Sequence, residues 1–405
     1  MKKTGSFLIC LLLLGLAACT AARGTVAPTA KGNPQSPATE AAPVSSSAKP
    51  ALDVVAADFV SAGVGWMSVR QGVPAAENGR ILAYRTEDGG RTWAQQLDFE
   101  SGSAAPDAGW LRFFDADHGL VLGSDGRRLY STSDGGSQWA SLDLPVAAMD
   151  PSMLAFSSPL DGWVLNITGG ATGSETADVY RTVDGGAHWE TIATTSSLTG
   201  TDVPGQLSAG GDKSGIAFKD AGTGWISGSF NTLGASYLAK SSDGGRHWQG
   251  QSLDEPASWA GAEISTLPPR FSRSQQGALP IGVNADFYLV FSQDGGERWG
   301  DSVRLPGSHD GTSAPLWAFW DADTVMTWMG SGLPWASNHL WTTQDGGRSW
   351  ADFATPPGMT VGAMGFVDPD LGWALASSGT PGQGIVLLRT ANGGKGWTTF
   401  PVVLR

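Results

Sequence analysis

The stretch Thr86-Glu87-Asp88-Gly89-Gly90-Arg91-Thr92-Trp93 decides the fold, because the 405-residue chain repeats it seven times. Each copy, which we call a box, has Ser or Thr, then Asp two residues later, a glycine pair, and Trp five residues after the Asp. The box acids or amide are Asp88, Asp134, Asp184, Asp243, Asp294, Asp345 and Asn392. The box tryptophans are Trp93, Trp139, Trp189, Trp248, Trp299, Trp350 and Trp397. Successive boxes are 46, 50, 59, 51, 51 and 47 residues apart, which predicts seven copies of one structural unit.

The residue types of the box predict a self-contained hairpin turn. Asp accepts hydrogen bonds from the backbone N–H groups of its own turn, and the Ser or Thr offers a second local partner. The glycines supply backbone angles that other residues resist, and the Trp buries a ring of roughly 150–250 Å² over the turn. We therefore interpret the boxes as structural clips rather than as catalytic carboxylates.

A second element, Phe followed by Gly-Trp, precedes most boxes. It occurs as Phe59…Gly65-Trp66, Phe156…Gly162-Trp163, Phe218…Gly224-Trp225 and Phe366…Gly372-Trp373. Weaker versions are Phe114…Gly119-Leu120, Phe271…Gly277-Ala278 and Phe319 with Trp328. Each unit then divides into four short strands, A to D: strand A ends at the Phe, strand B begins at Gly-Trp, strand C runs into the box, and strand D starts at the box Trp. The sequence predicts an all-β, seven-bladed β-propeller over residues 51–405, with four antiparallel strands per blade.

The combined motif resembles the Asp-box, or bacterial neuraminidase repeat, found in sialidases, in the sortilin ectodomain, in some glucan hydrolases and in the photosystem II stability/assembly factor family. It resembles the last of these above all, over residues 51–405. That resemblance implies a chaperone-like scaffold that holds a client at a membrane. In the thylakoid family basic residues help to form the client face, whereas this chain is acidic, so the photosystem client itself is not expected.

The enzymatic relatives make a different prediction, which the residues do not support. A sialidase needs an Arg-Ile-Pro signature and a free Tyr nucleophile; the sequence has no Arg-Ile-Pro, and its five tyrosines all lie on strand C, shortly before a box. The related glucanases place their carboxylates between two propellers, and one propeller leaves no such cleft. Sortilin-like proteins append a Cys-rich module that is absent from this sequence. We therefore predict no enzymatic activity and no cofactor.

The first 50 residues predict a lipoprotein leader and a tether. Lys2 and Lys3 precede about ten apolar residues, which suits a signal peptide and is too short to span a membrane. Leu16-Ala17-Ala18-Cys19 resembles a lipobox, which implies cleavage after residue 18 and lipid on Cys19. Residues 19–50 are rich in Ala, Pro, Ser and Thr, and we predict a disordered linker. These features place the protein outside the cytoplasm, anchored by lipid to a bacterial membrane.

The net charge and the residue composition narrow the classes of partner that we expect. Without the leader the chain has 23 basic and 38 acidic residues, a net charge of −15, which disfavours nucleic acid. The mature chain has no thiol except Cys19, and two isolated loop histidines, His309 and His339, are too little to predict a metal site. We expect a monomer that binds either a protein client or a surface glycan.

The predicted strand order separates two faces of the propeller. The box face carries the A–B turns and the boxes, and the long-loop face carries the varied B–C and D–A loops, where binding usually occurs. Candidate ligand-binding residues on the long-loop face are Trp259, Trp335, Glu263 and His309, accompanied by the acids Glu77, Glu175, Asp202, Asp212 and Glu255. Our first hypothesis is a non-enzymatic binding or assembly scaffold; the alternative is a cell-surface protein that binds or hydrolyses glycans. Blade 1 is expected to close the ring against blade 7, with the segment near Pro50 adding a strand.

Overall fold

The structure, a computed structural model, is built almost entirely from antiparallel β-strands. It describes residues 51–71, 80–100, 110–123, 125–148, 150–171, 173–195, 205–307, 315–329, 339–356, 358–377 and 384–405, all within one compact unit, Ala48–Arg405. The predicted leader and tether, Cys19 included, lie outside these residues. No helix within the described ranges is both long and apolar enough to span a membrane.

The strands form seven consecutive groups, one for each box, which we call blades 1 to 7; the groups of blades 4 and 5 are hydrogen-bonded into one nine-stranded sheet. Blade 1 contains β1 (Leu52–Phe59), β2 (Gly65–Gln71), β3 (Arg80–Thr86) and β4 (Thr92–Glu100). Blade 2 contains β5 (Leu111–Phe113), β6 (Gly119–Leu122), β7 (Arg128–Thr132) and β8 (Ala140–Asp143). Blade 3 contains β9 (Leu154–Phe156), β10 (Gly162–Ala171), β11 (Ser174–Thr182) and β12 (Glu190–Thr194). Within each of these three blades, neighbouring strands pair antiparallel in chain order.

The remaining four blades follow the same plan. Blade 4 contains β13 (Asp212–Phe218), β14 (Gly224–Ser229), β15 (Ser236–Ser241) and β16 (Gln249–Gly250). Blade 5 contains β17 (Ile264–Thr266), β18 (Arg270–Phe271), β19 (Gly277–Val283), β20 (Asp286–Ser292) and β21 (Ser302–Arg304). Blade 6 contains β22 (Leu316–Phe319), β23 (Val325–Met329), β24 (His339–Thr343) and β25 (Ala351–Ala354). Blade 7 contains β26 (Thr360–Phe366), β27 (Leu371–Ser377), β28 (Val386–Ala391) and β29 (Thr398–Pro401). In blade 5 strand A is split into β17 and β18 around Pro268-Pro269, since proline has no N–H to donate to the sheet.

One central channel is lined by the innermost strands of all seven blades, β1, β5, β9, β13, β18, β22 and β26. Only a circular arrangement of the blades brings seven strands so distant in sequence to one cavity. The prediction of an all-β propeller is therefore confirmed.

Four of the seven junctions between neighbouring blades contain an aromatic pair of the same kind. The strand B tryptophan of one blade lies face to face with the strand A phenylalanine of the next: Trp66 stacks on Phe113 with ring centroids 3.7 Å apart. Phe113 also meets its own box tryptophan, Trp139, edge-on at 6.3 Å. Equivalent stacks join blades 3 and 4 and blades 4 and 5. Such aromatic pairs contribute roughly 0.5–1.5 kcal/mol each beyond the area that they bury.

The glycine that begins strand B is explained by the same phenylalanine. A Cβ atom on Gly65 would lie 2.6 Å from the Phe59 ring, and one on Gly277 would lie 2.7 Å from the Phe271 ring. The ring thus occupies the space of a side chain on the paired strand, which is why Gly precedes Trp.

The observed pairing corrects two assignments made from the sequence. In blade 2 the residue opposite Gly119 is Phe113, not Phe114, which follows the strand. In blade 6 Val325 lies opposite Phe319, so that Met326, not Trp328, holds the position of the strand B tryptophan. Both pairs keep the six-residue spacing from Phe to Gly that the clear repeats have. In addition, most D strands begin just after the box Trp rather than at it.

Blade 1 and blade 7 close the ring through a shared core and through the C-terminus. Phe59 packs on Trp373 of blade 7 at 4.9 Å. A fifth strand, β30 (Val403–Leu404), adds in parallel to β4 at the outer edge of blade 1. Pro50 lies outside the described residues, and the additional strand described in blade 1 comes from the C-terminus.

The two side chains of β30 provide a test of this closure. Leu404 packs partly buried against the core between blades 1 and 7, whereas Val403 is 48% exposed. Leu404→Ala is expected to lower the free energy of unfolding by about 1–2 kcal/mol, less than for a fully buried leucine. Val403→Ala, the matched control, is expected to change it by less than about 0.5 kcal/mol. Urea unfolding of both variants measures the difference, and equal losses would show that β30 adds little to the closure.

Candidate functional site

The boxes form one repeated hydrogen-bond network. In all seven, the Ser or Thr hydroxyl donates to Oδ1 of the Asp or Asn at 2.8–3.0 Å. The same hydroxyl accepts the N–H of the second glycine at 2.8–2.9 Å. That Oδ1 also accepts the N–H of the residue before the Trp at 2.9–3.0 Å. Both glycines have positive φ throughout, from +65° to +100°. The side-chain oxygens of the boxes are thus committed to the turn.

The boxes and the A–B turns lie together. The first box glycine donates its N–H to a carbonyl of the A–B turn of its own blade in six blades, as from Gly89 to Gly63 O at 2.8 Å. Blade 7 also reaches blade 1 on this face, since Arg389 donates to Gly89 O and Ala62 O. The box face is therefore nearly uniform from blade to blade.

Hydrogen bonds hold the box aspartates ionised. In blade 6 the hydroxyl and N–H of Ser349 lower the pKa of Asp345 to about 2. In blade 3 the N–H and imidazole of His188 lower the pKa of Asp184 to about 2. These shifts arise within the turn, so they describe a structural anion rather than an acid or base poised for catalysis.

On the long-loop face, the predicted ligand residues have mixed placements. Trp259 ends a 3-10 turn, Ala257–Trp259, and is only 5% exposed, with its ring on Tyr288 at 4.9 Å. The Trp259 ring packs beneath its own loop, and little of it is accessible to a ligand. Glu263 is exposed, and its backbone pairs with Asn284. Trp335 and His309 lie outside the described residues.

Two of the loop acids have structural partners. Glu175 accepts the N–H of Lys213 at 2.6 Å, which joins the B–C hairpin of blade 3 to blade 4. Glu255 accepts hydrogen bonds from the N–H and hydroxyl of Ser236. Asp212 is exposed, and Glu77 and Asp202 are outside the described residues. The structure therefore does not gather these acids into one site, and no group of three or more potential metal ligands occurs among the residues described.

A different set of residues converges inside the channel. In each blade the residue before the strand A phenylalanine pairs with the residue after the strand B glycine position, so the seven lie at equivalent register positions around the channel. These residues, which we call the inner ring, are Asp58, Arg112, Ala155, Ala217, Arg270, Ala318 and Gly365. All seven line a cavity of about 570 Å³. Four of the seven are Ala or Gly, which leaves the interior open around the three charged side chains.

The charged members of the inner ring are only partly satisfied by the fold. Asp58 accepts the N–H of Phe113 on the next blade at 3.0 Å. Arg270 donates to Trp317 O at 2.8 Å and lies over the Trp317 ring. Arg112 forms no hydrogen bond to a described residue and lies over the Phe114 ring at 5.8 Å. The contacts of Asp58 and Arg270 join adjacent blades, and most of the guanidinium donors of the two arginines have no acceptor among the described residues.

The surroundings of the inner ring shift the pKa values of Asp58 and Arg270. Burial raises the pKa of Asp58, against opposing effects from the Arg112 charge and the Phe113 N–H. Burial, together with the Arg112 charge, lowers the pKa of Arg270 to about 10, while Asp58 opposes that change. Arg270 therefore remains protonated near pH 7. The sequence analysis missed these residues, although the repeat contains their signal: three charges at a position that is otherwise Ala or Gly.

Comparisons with known proteins support the fold. No protein-family model matches the sequence, and no curated protein matches it. Among solved structures the chain is similar to YCF48 bound to D1 peptide, with 19% identity, a TM-score of 0.51, and coverage of 85% of this chain and 94% of that one. It is similar to the GH74 xyloglucanase from Xanthomonas campestris, with 15% identity, a TM-score of 0.56, and coverage of 88% and 55%. It is also similar to a PL25 ulvan lyase, with 12% identity, a TM-score of 0.52, and coverage of 87% and 96%. At these identities the likeness concerns the fold alone.

The lowered pKa values of the box aspartates predict loss of stability in acid. A carboxylate with a folded pKa near 2, below its ordinary 3.8, stabilises the fold above about pH 5 and loses that effect as the pH falls toward 2. Asn392 keeps the box contacts without a charge. Asp345→Asn should therefore unfold near the parent temperature at pH 7 and show a shallower decline of that temperature between pH 5 and pH 2. Asp117→Asn, at an exposed turn aspartate, is the control and should keep the parent slope; an unchanged slope in Asp345→Asn would contradict the assignment.

Proposed function

We propose that this chain is a non-enzymatic, extracytoplasmic binding or assembly scaffold that is lipid-anchored to a bacterial membrane and holds a protein client on its long-loop face. The contrast between the two faces carries the proposal. The box face repeats one hydrogen-bond network, whereas the loops of the long-loop face vary in length and sequence from blade to blade. Variable loops on a rigid scaffold are where proteins usually place recognition.

The most exposed apolar side chains described on the long-loop face lie in one loop of blade 4, between β14 and β15. Phe230 is 40% exposed and Leu233 is 58% exposed. The loop is held in place, since the Gly234 N–H donates to Ala262 O of the next connection at 2.8 Å and Phe230 packs on Tyr237 at 5.2 Å. Exposed apolar groups on an ordered loop suit the anchor of a protein interface.

The channel favours binding over hydrolysis. Asp58 is the one carboxylate among the described residues that line the cavity. Glycoside hydrolysis by the usual mechanism needs two carboxylates flanking the scissile bond. A single carboxylate beside two arginines suits electrostatic recognition instead.

Similarity to YCF48 bound to D1 peptide supports a peptide or protein client. The alternative, a cell-surface protein that binds or hydrolyses glycans, draws support from the similarity to the xyloglucanase and to the ulvan lyase bound to a GlcA–Rha3S glycan. The chain spans only about half of the xyloglucanase, however, at 55% of its length. We therefore place the glycan function second.

Client binding can be tested with matched pairs of exposed apolar residues. Recovery of envelope proteins with the full chain is expected to fall at least about tenfold in the Phe230→Ser/Leu233→Ser variant, because the anchor is removed. The control, Leu160→Ser/Val183→Ser, changes two box-face residues that are 57% and 64% exposed and should recover the client as the parent does.

Three outcomes are informative in that experiment. Selective loss of one co-purified protein in the long-loop variant supports the proposal. Equal recovery by all three proteins argues against the long-loop face as the client site. Binding on a glycan array without any co-purified protein, or cleavage of a glycan, would favour the alternative.

The proposed lipid anchor at Cys19 can be tested separately. Cys19→Ser is expected to move the protein from the membrane fraction to the soluble extracytoplasmic fraction, because the residue that would carry the lipid is gone. Mass spectrometry of the N-terminal peptide should find acyl chains on Cys19 in the parent and an uncleaved or unlipidated terminus in the variant. Membrane retention of Cys19→Ser equal to the parent would disprove the lipid anchor.

A further inference from the structure

The cavity of the central channel reaches the box face. Besides the inner ring, its lining includes Ser157, Lys219, Ser272 and Gln275, which follow the strand A phenylalanines in the A–B turns. The inner ring itself lies one residue before those phenylalanines, at the end of each strand nearest the box face. The charged part of the channel is therefore accessible from the face opposite the long loops.

The inner ring has more positive charge than the fold uses. Neither Arg112 nor Arg270 forms an ion pair with a carboxylate of any described residue. Asp58 is the ring's one opposing charge, and its carboxylate is partly occupied by the Phe113 N–H. Two arginines against one aspartate leave a net positive centre inside a molecule whose overall charge is −13.

Unused hydrogen-bond donors face the same space. Arg270 commits one Nη1–H to Trp317 O, and Arg112 donates to no described residue, although a guanidinium has five N–H donors. The indole N–H of Trp373, which is 4% exposed and also lines the cavity, has no partner among the described residues. A buried donor without an acceptor is costly, and a ligand acceptor would relieve that cost.

We propose that the box-face end of the channel is a second binding site, in which Arg112 and Arg270 hold a carboxylate at the tip of an acidic peptide segment. This site is separate from the client surface proposed for the long-loop face. A planar guanidinium matches a carboxylate through two parallel hydrogen bonds.

The shape of the site favours a peptide over a sugar. A ligand that enters from the box face passes the ring of A–B turns before it reaches the arginines, within a cavity of about 570 Å³. A Glu or Asp side chain presents its carboxylate on a slender stem that enters end-on. The carboxylate of a uronic acid is fixed to a six-membered ring and cannot extend ahead of it in this way.

Because of Asp58, the proposal predicts a gain in affinity for one variant as well as a loss for another. Its charge faces the same cavity as the two arginines and repels an incoming carboxylate. Asp58→Asn keeps an oxygen that can accept the Phe113 N–H and removes the charge, so it should strengthen carboxylate binding. A variant that merely misfolded would not bind more tightly.

Fluorescence anisotropy of labelled penta-glutamate, with penta-glutamine as the uncharged comparison, tests the site on the full chain at low salt. Arg112→Gln is expected to weaken binding about tenfold, because it removes a positive charge whose side chain forms no hydrogen bond to a described residue. Asp58→Asn is expected to strengthen binding severalfold. Arg127→Gln is the matched control: the arginine is exposed in the same blade but outside the channel, and the change should leave binding at the parent level.

Opposite shifts in Arg112→Gln and Asp58→Asn, with no shift in Arg127→Gln, support the site. Equal binding of penta-glutamate and penta-glutamine, or equal affinities in all variants, would overturn it. If an oligo-glucuronate binds with the same dependence on Arg112 and penta-glutamate does not, the ligand is a glycan acid and the peptide assignment is wrong. Phe230→Ser/Leu233→Ser should leave penta-glutamate binding intact, so this site stands or fails independently of the long-loop client.

Discussion

The packing of a strand B side chain, which is Trp in four blades, on the phenylalanine of the next blade is the contact on which the rest of the structure depends. In six blades it goes with glycine opposite the phenylalanine, because the ring fills the volume of a side chain there; blade 6 has Val325 instead. The same contact also places the box tryptophan, since the same phenylalanine meets that ring edge-on. One aromatic residue per blade thus links the inner strand, the strand beside it, the box and the neighbouring blade. With such close-packed joints the blades have little freedom to shift against each other.

The same joint fixes where function is accessible. Side chains alternate along a strand, so the residue before each phenylalanine lies on the opposite face of its blade, where the inner strand borders the channel. The repeat therefore builds an inner ring at a defined depth whether or not a blade uses its position. Four blades place Ala or Gly there, and three place Asp58, Arg112 and Arg270. A structural repeat thereby acts as a frame in which single substitutions change the chemistry of the channel without altering the joints.

The sequence predicted the repeated part of the molecule well, because the same turn and packing requirements recur in all seven repeats. The two errors of alignment, at Phe114 and Trp328, came from following the most aromatic residue rather than the constant six-residue spacing that strand pairing imposes. The parallel strand β30 could not be predicted, since Val403 and Leu404 occur once and carry no motif. The burial of Trp259 was equally inaccessible, because an isolated loop tryptophan has the same appearance in sequence whether it packs on Tyr288 or faces solvent.

The acidic composition argued against anionic partners, and the inner ring shows why composition alone is a weak guide to a site. Charges are screened over about 8 Å at physiological ionic strength, so the charges nearest to a ligand contribute most. The potential felt by a ligand in the channel is therefore set mainly by Arg112, Arg270 and Asp58. Burial raises the pKa of Asp58, so its carboxyl group is easier to protonate. Protonation of Asp58 would make the net charge of the channel more positive. An acidic exterior then serves solubility, and the channel can still recognise an anion, because the two tasks are carried by charges that scarcely interact.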